Sequence, residues 1–187
     1  MTKDSGEFEL LRSRLERDSS GRLVLHGQPM ILLPRHFFRY ILREVYQAAG
    51  PEAFGKIFRK AGHDGAVTFC RRFQEVHGST PQEAVEGYLK EMSWRGWGQF
   101  HMVRLDAAAG YLEVSLRNTA LAAEADLPSG NLIWEGAMLG ALRFLQESLG
   151  SCFDESLRAE GQERRAGDDA APEFRIVVSR KLNPTGR

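Results

Sequence analysis

The chain has 187 residues, 42% hydrophobic and 27% charged, enough for one domain that buries roughly 70% of its unfolded surface without a disulfide or metal. Its 25 basic and 25 acidic side chains cancel, which argues against a direct nucleic-acid binder, whose phosphate contacts need a basic surplus. Two cysteines, Cys70 and Cys152, make neither a disulfide framework nor a zinc ribbon. With no apolar leader and no run of ~20 apolar residues, no membrane span and a cytoplasmic location are expected.

Residues 1–20 carry five acids and four bases and are set apart as an N-terminal appendage. Within them Phe8, Leu11 and Leu15 recur at helical spacing and predict a short amphipathic helix over 7–17. The domain proper is expected over 21–180. Arg22 to His26 reads as a strand, His26-Gly27-Gln28-Pro29 as a turn, and Met30-Ile31-Leu32-Leu33 as an apolar return strand stopped by Pro34. From Arg35 the period becomes helical, with Phe37, Phe38, Ile41, Leu42, Val45 and Tyr46 on one face. Gly50-Pro51 ends that helix and begins a second, which runs to about Val76. Gly62-His63-Asp64-Gly65 interrupts its apolar stripe, and glycines that cost ~1 kcal/mol in a helix interior need a reason, the plain one being close packing.

Thr80-Pro81-Gln82-Glu83 is a capping box with proline at the first helical position. The third helix that it opens closes near Gly96. A strand from Trp97 to Leu105 should point Trp97, His101, Val103 and Leu105 to one side and Phe100 and Met102 to the other. The hairpin loop 106–110 and the return strand Tyr111 to Arg117 follow. A fourth helix covers Leu132 to Leu149, with Gly136 and Gly140 spaced to let another backbone approach. Residues 154–173 hold seven acids and three bases and read as a polar mobile loop, and Phe174 to Val178 as a last strand before a tail at 181–187. Strands grouped apart from helices predict an α+β fold, an antiparallel sheet covered by helices.

Catalytic templates are missing: no phosphate loop, dinucleotide fingerprint, nucleophile elbow or zincin helix occurs. His26, His36, His63, His77 and His101 never pair at ligand spacing. A non-catalytic chain without cofactor or metal is expected. Cys70, beside Phe69 and Phe73, reads as a buried structural thiol. Arg35, Arg39 and Arg43 share a helical face, which is either solvated or in contact with a phosphate or acidic partner. The aromatics say more. Trp94, Trp97 and Phe100 gather at a helix–strand junction and Trp134 opens the fourth helix. These either fill the core or line an apolar pocket with His63 or an indole N–H as its polar point.

The segments Gly62-His63-Asp64-Gly65, Ser93-Trp94-Arg95-Gly96-Trp97-Gly98, Arg117-Asn118 and Gly136-Ala137-Met138-Leu139-Gly140, in this order and spacing, resemble the 4-vinyl-reductase domain family. The stretch from Gly21-Arg22-Leu23 to Met30-Ile31-Leu32-Leu33-Pro34 is similar to the entry of the N-terminal sensory domain of aromatic-responsive (XylR-type) transcriptional regulators. The resemblance implies a fold like that of TRAPP subunits, a homodimer, and a pocket for a small aromatic or hydrocarbon-like ligand. Two glycines that thin the helix wall at His63 and the tryptophans gathered at the strand start place that pocket between the second and third helices and the strand at Trp97, where the resemblance also implies the family's ligand, with His63, Tyr88, Trp94, Trp97, Phe100 and Trp134 as ligand-binding residues. The relatives' zinc, held by an acid and three cysteines near the C-terminus, is not expected here. Between Cys152 and Phe174 there is no further cysteine, and Pro172 precedes Glu173-Phe174. The regulators' ATPase and DNA-binding domains have no counterpart in these residues, so a signal would pass to a downstream regulatory protein. The alternative is a scaffold or accessory subunit that works through its surfaces without a ligand.

Overall fold

A computed structural model describes residues 13–121, 131–151, 155–164 and 173–180. A small antiparallel sheet comes first, β1 (Glu16–Arg17), β2 (Leu23–Leu25) and β3 (Gln28–Met30), in that spatial order. The expected 7–17 helix falls mostly outside the described residues. At its C-terminal end it is corrected, because Glu16 and Arg17 pair with Val24 and Leu23 as a strand. The β2–β3 turn is only His26-Gly27, both at positive φ (50° and 70°), the two-residue turn whose twist matches a hairpin. The return strand stops at Met30. Ile31 and Leu32 continue without a strand partner, 78% and 73% exposed, so their apolar character does not reflect a strand in a core.

Helix α1 (Arg35–His77) is two arms joined at Gly50, whose φ of 75° and ψ of 170° break the helical path, with Pro51 opening the second arm. The sequence places this break correctly, since proline lacks the N–H that a continuous helix would use. Tyr46 and Phe54 pack edge to face across the break at 5.4 Å. Gly78, at φ 60°, ends the second arm and donates its N–H to the Gln74 carbonyl. Helix α2 (Pro81–Trp94) starts on the expected capping box: Glu83 N–H donates to Thr80 Oγ1 at 3.3 Å and Thr80 N–H to Glu83 Oε2 at 2.7 Å.

The main sheet has the antiparallel order β4-β5-β7-β6, from β4 (Gln99–Asp106), β5 (Tyr111–Arg117), β6 (Leu157–Arg164) and β7 (Glu173–Arg180). Two expectations change here. The register of β4 against β5 shifts between Met102 and Arg104. This bulge turns Leu105 to the side of Phe100 and Met102, against the core, and leaves Val103 exposed, so the unbroken alternation fails. Residues 157–164, expected as polar loop, form edge strand β6. Only Leu157 is buried there and the charges face water, as an edge that must not recruit another strand requires. The rest of the expected loop, 165–172, lies outside the described residues.

Helix α3 (Leu132–Ser148) runs between the sheet and the second arm of α1. It is apolar on nearly every side, with Trp134, Ala137, Met138, Ala141, Leu142, Phe144 and Leu145 buried. Its glycines meet α1 backbone to backbone. A Cβ on Gly136 would lie 2.6 Å from the Arg59 carbonyl carbon, one on Gly140 2.9 Å from that of His63, and one on Gly62 2.9 Å from that of Ile133. This close crossing is the reason for the interior glycines; Gly65 has nothing within 4 Å. The architecture is α+β, an antiparallel sheet covered by helices, as the strand and helix grouping predicts. Among the described residues no helix is long and apolar enough to cross a membrane.

Candidate functional site

The break between the small sheet and the helices leaves an apolar cavity of about 720 Å³. Leu25 and Met30 of the β2–β3 hairpin and the Ile31–Pro34 connection form one wall. Arg35 and Phe38 of α1, the turn Trp94-Arg95-Gly96-Trp97 after α2, and Ala120 and Leu121 after β5 form the others. Local chemistry sets this geometry. Gly96, at φ 80°, lets the chain leave α2 sharply, and Trp97 N–H donates back to Met92 O at 3.2 Å. Ala120 N–H donates to Trp97 O at 2.9 Å, and Arg35 Nε to Ala120 O at 2.7 Å, so three segments distant in sequence are stitched at the rim. The volume lies in the ~300–1,000 Å³ range of small-molecule pockets, and its wall is mostly apolar as theirs are.

The six residues singled out from the sequence are not all brought together. Trp97, Phe100 and Trp134 form one aromatic stack, with Trp134 edge-on to Trp97 at 5.6 Å and to Phe100 at 5.0 Å. Phe38, not foreseen, joins it 5.4 Å from Trp97. Of this stack Phe38 and Trp97 reach the cavity; Trp134 lies behind them, 3% exposed, and its indole N–H finds no acceptor among the described residues. Trp94 lines both the cavity and a more open groove of about 520 Å³ between α2 and β4, which it shares with Phe100. The guanidinium of Arg14 and the ammonium of Lys90 lie over its ring at 5.0 and 4.7 Å. Tyr88 is a core residue against Phe69 at 5.3 Å, its hydroxyl held far above the ordinary pKa by burial. His63 lines a different groove, between α1, α3 and β6, where its Nδ1 meets Asp64 at 2.9 Å. The glycines beside it thin the α1–α3 crossing, not the wall of the tryptophan cavity.

Sequence reasoning missed Arg95 and a buried polar chain. Arg95 caps α2, and its guanidinium lies half-buried in the cavity wall. Among the described residues its hydrogen bond is to the Met92 sulfur at 3.9 Å, and desolvation lowers its pKa. Nearby, Glu91, 1% exposed, accepts through Oε1 from Arg14 at 3.0 Å and from His26 Nε2 at 2.9 Å. His26 Nδ1 then accepts from His77 Nε2 at 2.8 Å, the tautomer that follows once the carboxylate takes the Nε2 proton. Burial, with the neighbouring His26 and Arg14 disfavouring a further cation, holds the His77 pKa below its ordinary value. This chain pins the hairpin tip to the ends of α1 and α2. A glutamate on the inward face of α2 was the sequence signal for it.

Among the described residues no group of three or more His, Cys, Asp or Glu side chains is arranged for a metal. Cys70 is fully buried with its thiol pKa raised by desolvation, and Cys152 lies outside the described residues.

A family model described as a domain of unknown function (DUF5943) matches residues 14–103. No curated protein matches the sequence. Among solved structures, the phenol-responsive sensory domain of the transcription activator PoxR with phenol aligns at TM-score 0.66 and 17% identity, over 95% of this chain and 90% of that one. Cs H-NOX carrying an unnatural 4-cyano-L-phenylalanine aligns at TM-score 0.50 and 16% identity, over 96% and 88%. A trafficking protein particle complex subunit 3 from Naegleria fowleri, covalently bound to palmitic acid, aligns at 0.49 and 13%, over 79% and 94%. The chain shares the fold of the PoxR sensory domain.

Proposed function

We propose that this chain is a non-catalytic sensory domain of the 4-vinyl-reductase and XylR-type kind, which binds a small apolar or aromatic molecule and passes its state to a separate regulatory protein. The observation that carries this reading is the cavity of about 720 Å³ walled by Leu25, Met30, Phe38, Trp97 and Leu121. Filling it with an apolar body removes those side chains from water, at roughly 25 cal/mol per Å², and offers ring faces to an aromatic guest. The fold shared with a phenol-responsive domain supports it. Convergent acid and base groups at the cavity, which an enzyme would need, are not among the described lining residues. The reading includes a cytoplasmic homodimer.

Native mass spectrometry of the purified protein, followed by a thermal-shift panel of aromatic and aliphatic compounds, tests it. A retained small molecule, or a shift of several degrees with any member, is the expected result. A protein that carries nothing and responds to no member refutes it. A scaffold reading is favoured by one feature: Ile31, Leu32, Phe37, Tyr40 and Ile41 are large, apolar and exposed on one stretch of chain. That reading predicts partner capture with no ligand response.

A further inference from the structure

The cavity's charges are all of one sign. Its described lining carries two cations, Arg35 and Arg95, and no acid. A guanidinium taken partly out of water is costly unless it is paired, yet among the described residues the Arg95 guanidinium has no ion-pair partner and its hydrogen bond is to a thioether. Glu91, whose charge reaches it, pairs with Arg14 and accepts from His26 instead. Among the described residues Arg14 and Arg95 thus face a single carboxylate, and one positive charge at this end of the cavity is unbalanced. Arg35 adds a second at the rim, with its Nε spent on the Ala120 carbonyl. Beside Arg95 the wall is aromatic, from Trp94, Trp97 and Phe38.

Resting on the ligand-binding reading above, we infer that the ligand is an organic acid, a single carboxylate on an apolar, ring-bearing body, with the carboxylate on Arg95 and the body against Phe38 and Trp97. A planar guanidinium offers a carboxylate two parallel N–H donors, a pairing that a neutral phenol or alcohol cannot match. The bond forms where water is partly excluded, so it is stronger than on the surface. Arg35 at the rim draws the anion in.

The test uses matched probes with the wild-type chain: naphthoate against naphthol, and octanoate against octanol, by calorimetry at neutral pH. Naphthoate should bind roughly ten-fold or more tightly than naphthol, the difference a charge-assisted pair supplies. Arg95→Met should bring naphthoate down to the affinity of naphthol, and Arg95→Lys, which keeps the charge but loses the fork, should remove only part of the preference. Naphthol binding as well as naphthoate overturns the inference and leaves the cavity reading standing. Binding of none of the four probes overturns both. Octanoate preferred over naphthoate overturns the ring-bearing body. A preference for naphthoate that survives Arg95→Met, or survives Arg95→Lys undiminished should the methionine variant not fold, overturns the assignment to Arg95.

Discussion

Gly62 and Gly65 lie three positions apart on the same arm of α1, and alanine at the two should act in opposite directions. At Gly62 an added Cβ lands 2.9 Å from the Ile133 carbonyl carbon and 3.0 Å from the Ala137 nitrogen, and closer still to the Ile133 carbonyl oxygen. These atoms are helical backbone, not a side chain that can swing aside, so α1 and α3 must separate. That loosens Phe58, Ala66 and Phe69 from Ala137, Met138 and Ala141 in the shared core. Overpacking of this kind costs typically ~1–3 kcal/mol and sometimes more, and a backbone clash belongs at the top of that range. The better helix propensity of alanine returns ~1 kcal/mol, for a net loss of about 2 kcal/mol or more. For a domain of this size that lowers Tm by roughly 4–8 °C. At Gly65 nothing lies within 4 Å. Only the propensity and unfolded-state terms act there, and Gly65→Ala should raise Tm by roughly 2–4 °C. Thermal and urea unfolding followed by circular dichroism measure both. Gly62→Ala as stable as wild type, or Gly65→Ala as damaging as Gly62→Ala, would refute the close-crossing account of these glycines.

Ala120→Trp should fill the cavity from its small-residue side and abolish any ligand-induced thermal shift while the far-ultraviolet spectrum stays native; an undiminished shift would put the ligand elsewhere. His77 titrates below its ordinary value of 6.5, so under mildly acid conditions the unfolded chain takes a proton that the folded chain refuses. Its contribution is complete above that pH and declines as pH falls through it, and His77→Gln should flatten the acid limb of a stability-against-pH curve from urea titrations. Glu91→Ala leaves the buried His26 donor without its acceptor and removes the partner of half-exposed Arg14, and should cost about 1–3 kcal/mol, a loss that chemical denaturation reads directly. Cys70, buried and with its thiol pKa raised, should resist a thiol reagent in the native state and react only on unfolding; fast labelling at Cys70, located by peptide mapping, would contradict the packing.

Where one residue's own covalent limits decide the structure, the sequence is enough to see it. The break at Gly50-Pro51 and the reciprocal cap of Thr80 and Glu83 are set by a missing N–H and by a side chain three residues away, and both are found where expected. Features that depend on a distant partner are not visible in this way. Strand β6 is polar because it is an edge, and its eight residues form a strand only because β7 offers hydrogen bonds along its whole length. Leu105 faces the core only because a bulge two residues earlier re-phases β4. The apolar Ile31-Leu32-Leu33 run stays outside any strand because β2 begins at Leu23, the partner of Met30, and has no residue left to pair beyond it.

The cavity shows the same division. Aromatic side chains announce themselves, and Trp94 and Trp97 do line it. Much of the rest of its wall, Leu25, Met30, Phe38 and Leu121 included, is ordinary apolar residues that the chain brings together from across some hundred positions. Nothing in their local spacing marks them as neighbours. His63 drew attention because glycines flank it, and glycine can signify either a close ligand or a close helix; the Ile133 backbone decides for the helix. Arg95 carried the opposite disguise. In the sequence it is one of 25 basic residues balanced by 25 acids, and a balanced total says nothing about where a charge lacks a partner. The engagement of Glu91 with Arg14 and His26 leaves Arg95 facing an apolar cavity without a carboxylate partner among the described residues. On the proposed ligand-binding reading, ligand chemistry would be set by an imbalance of charge at one point within a chain whose charges cancel overall.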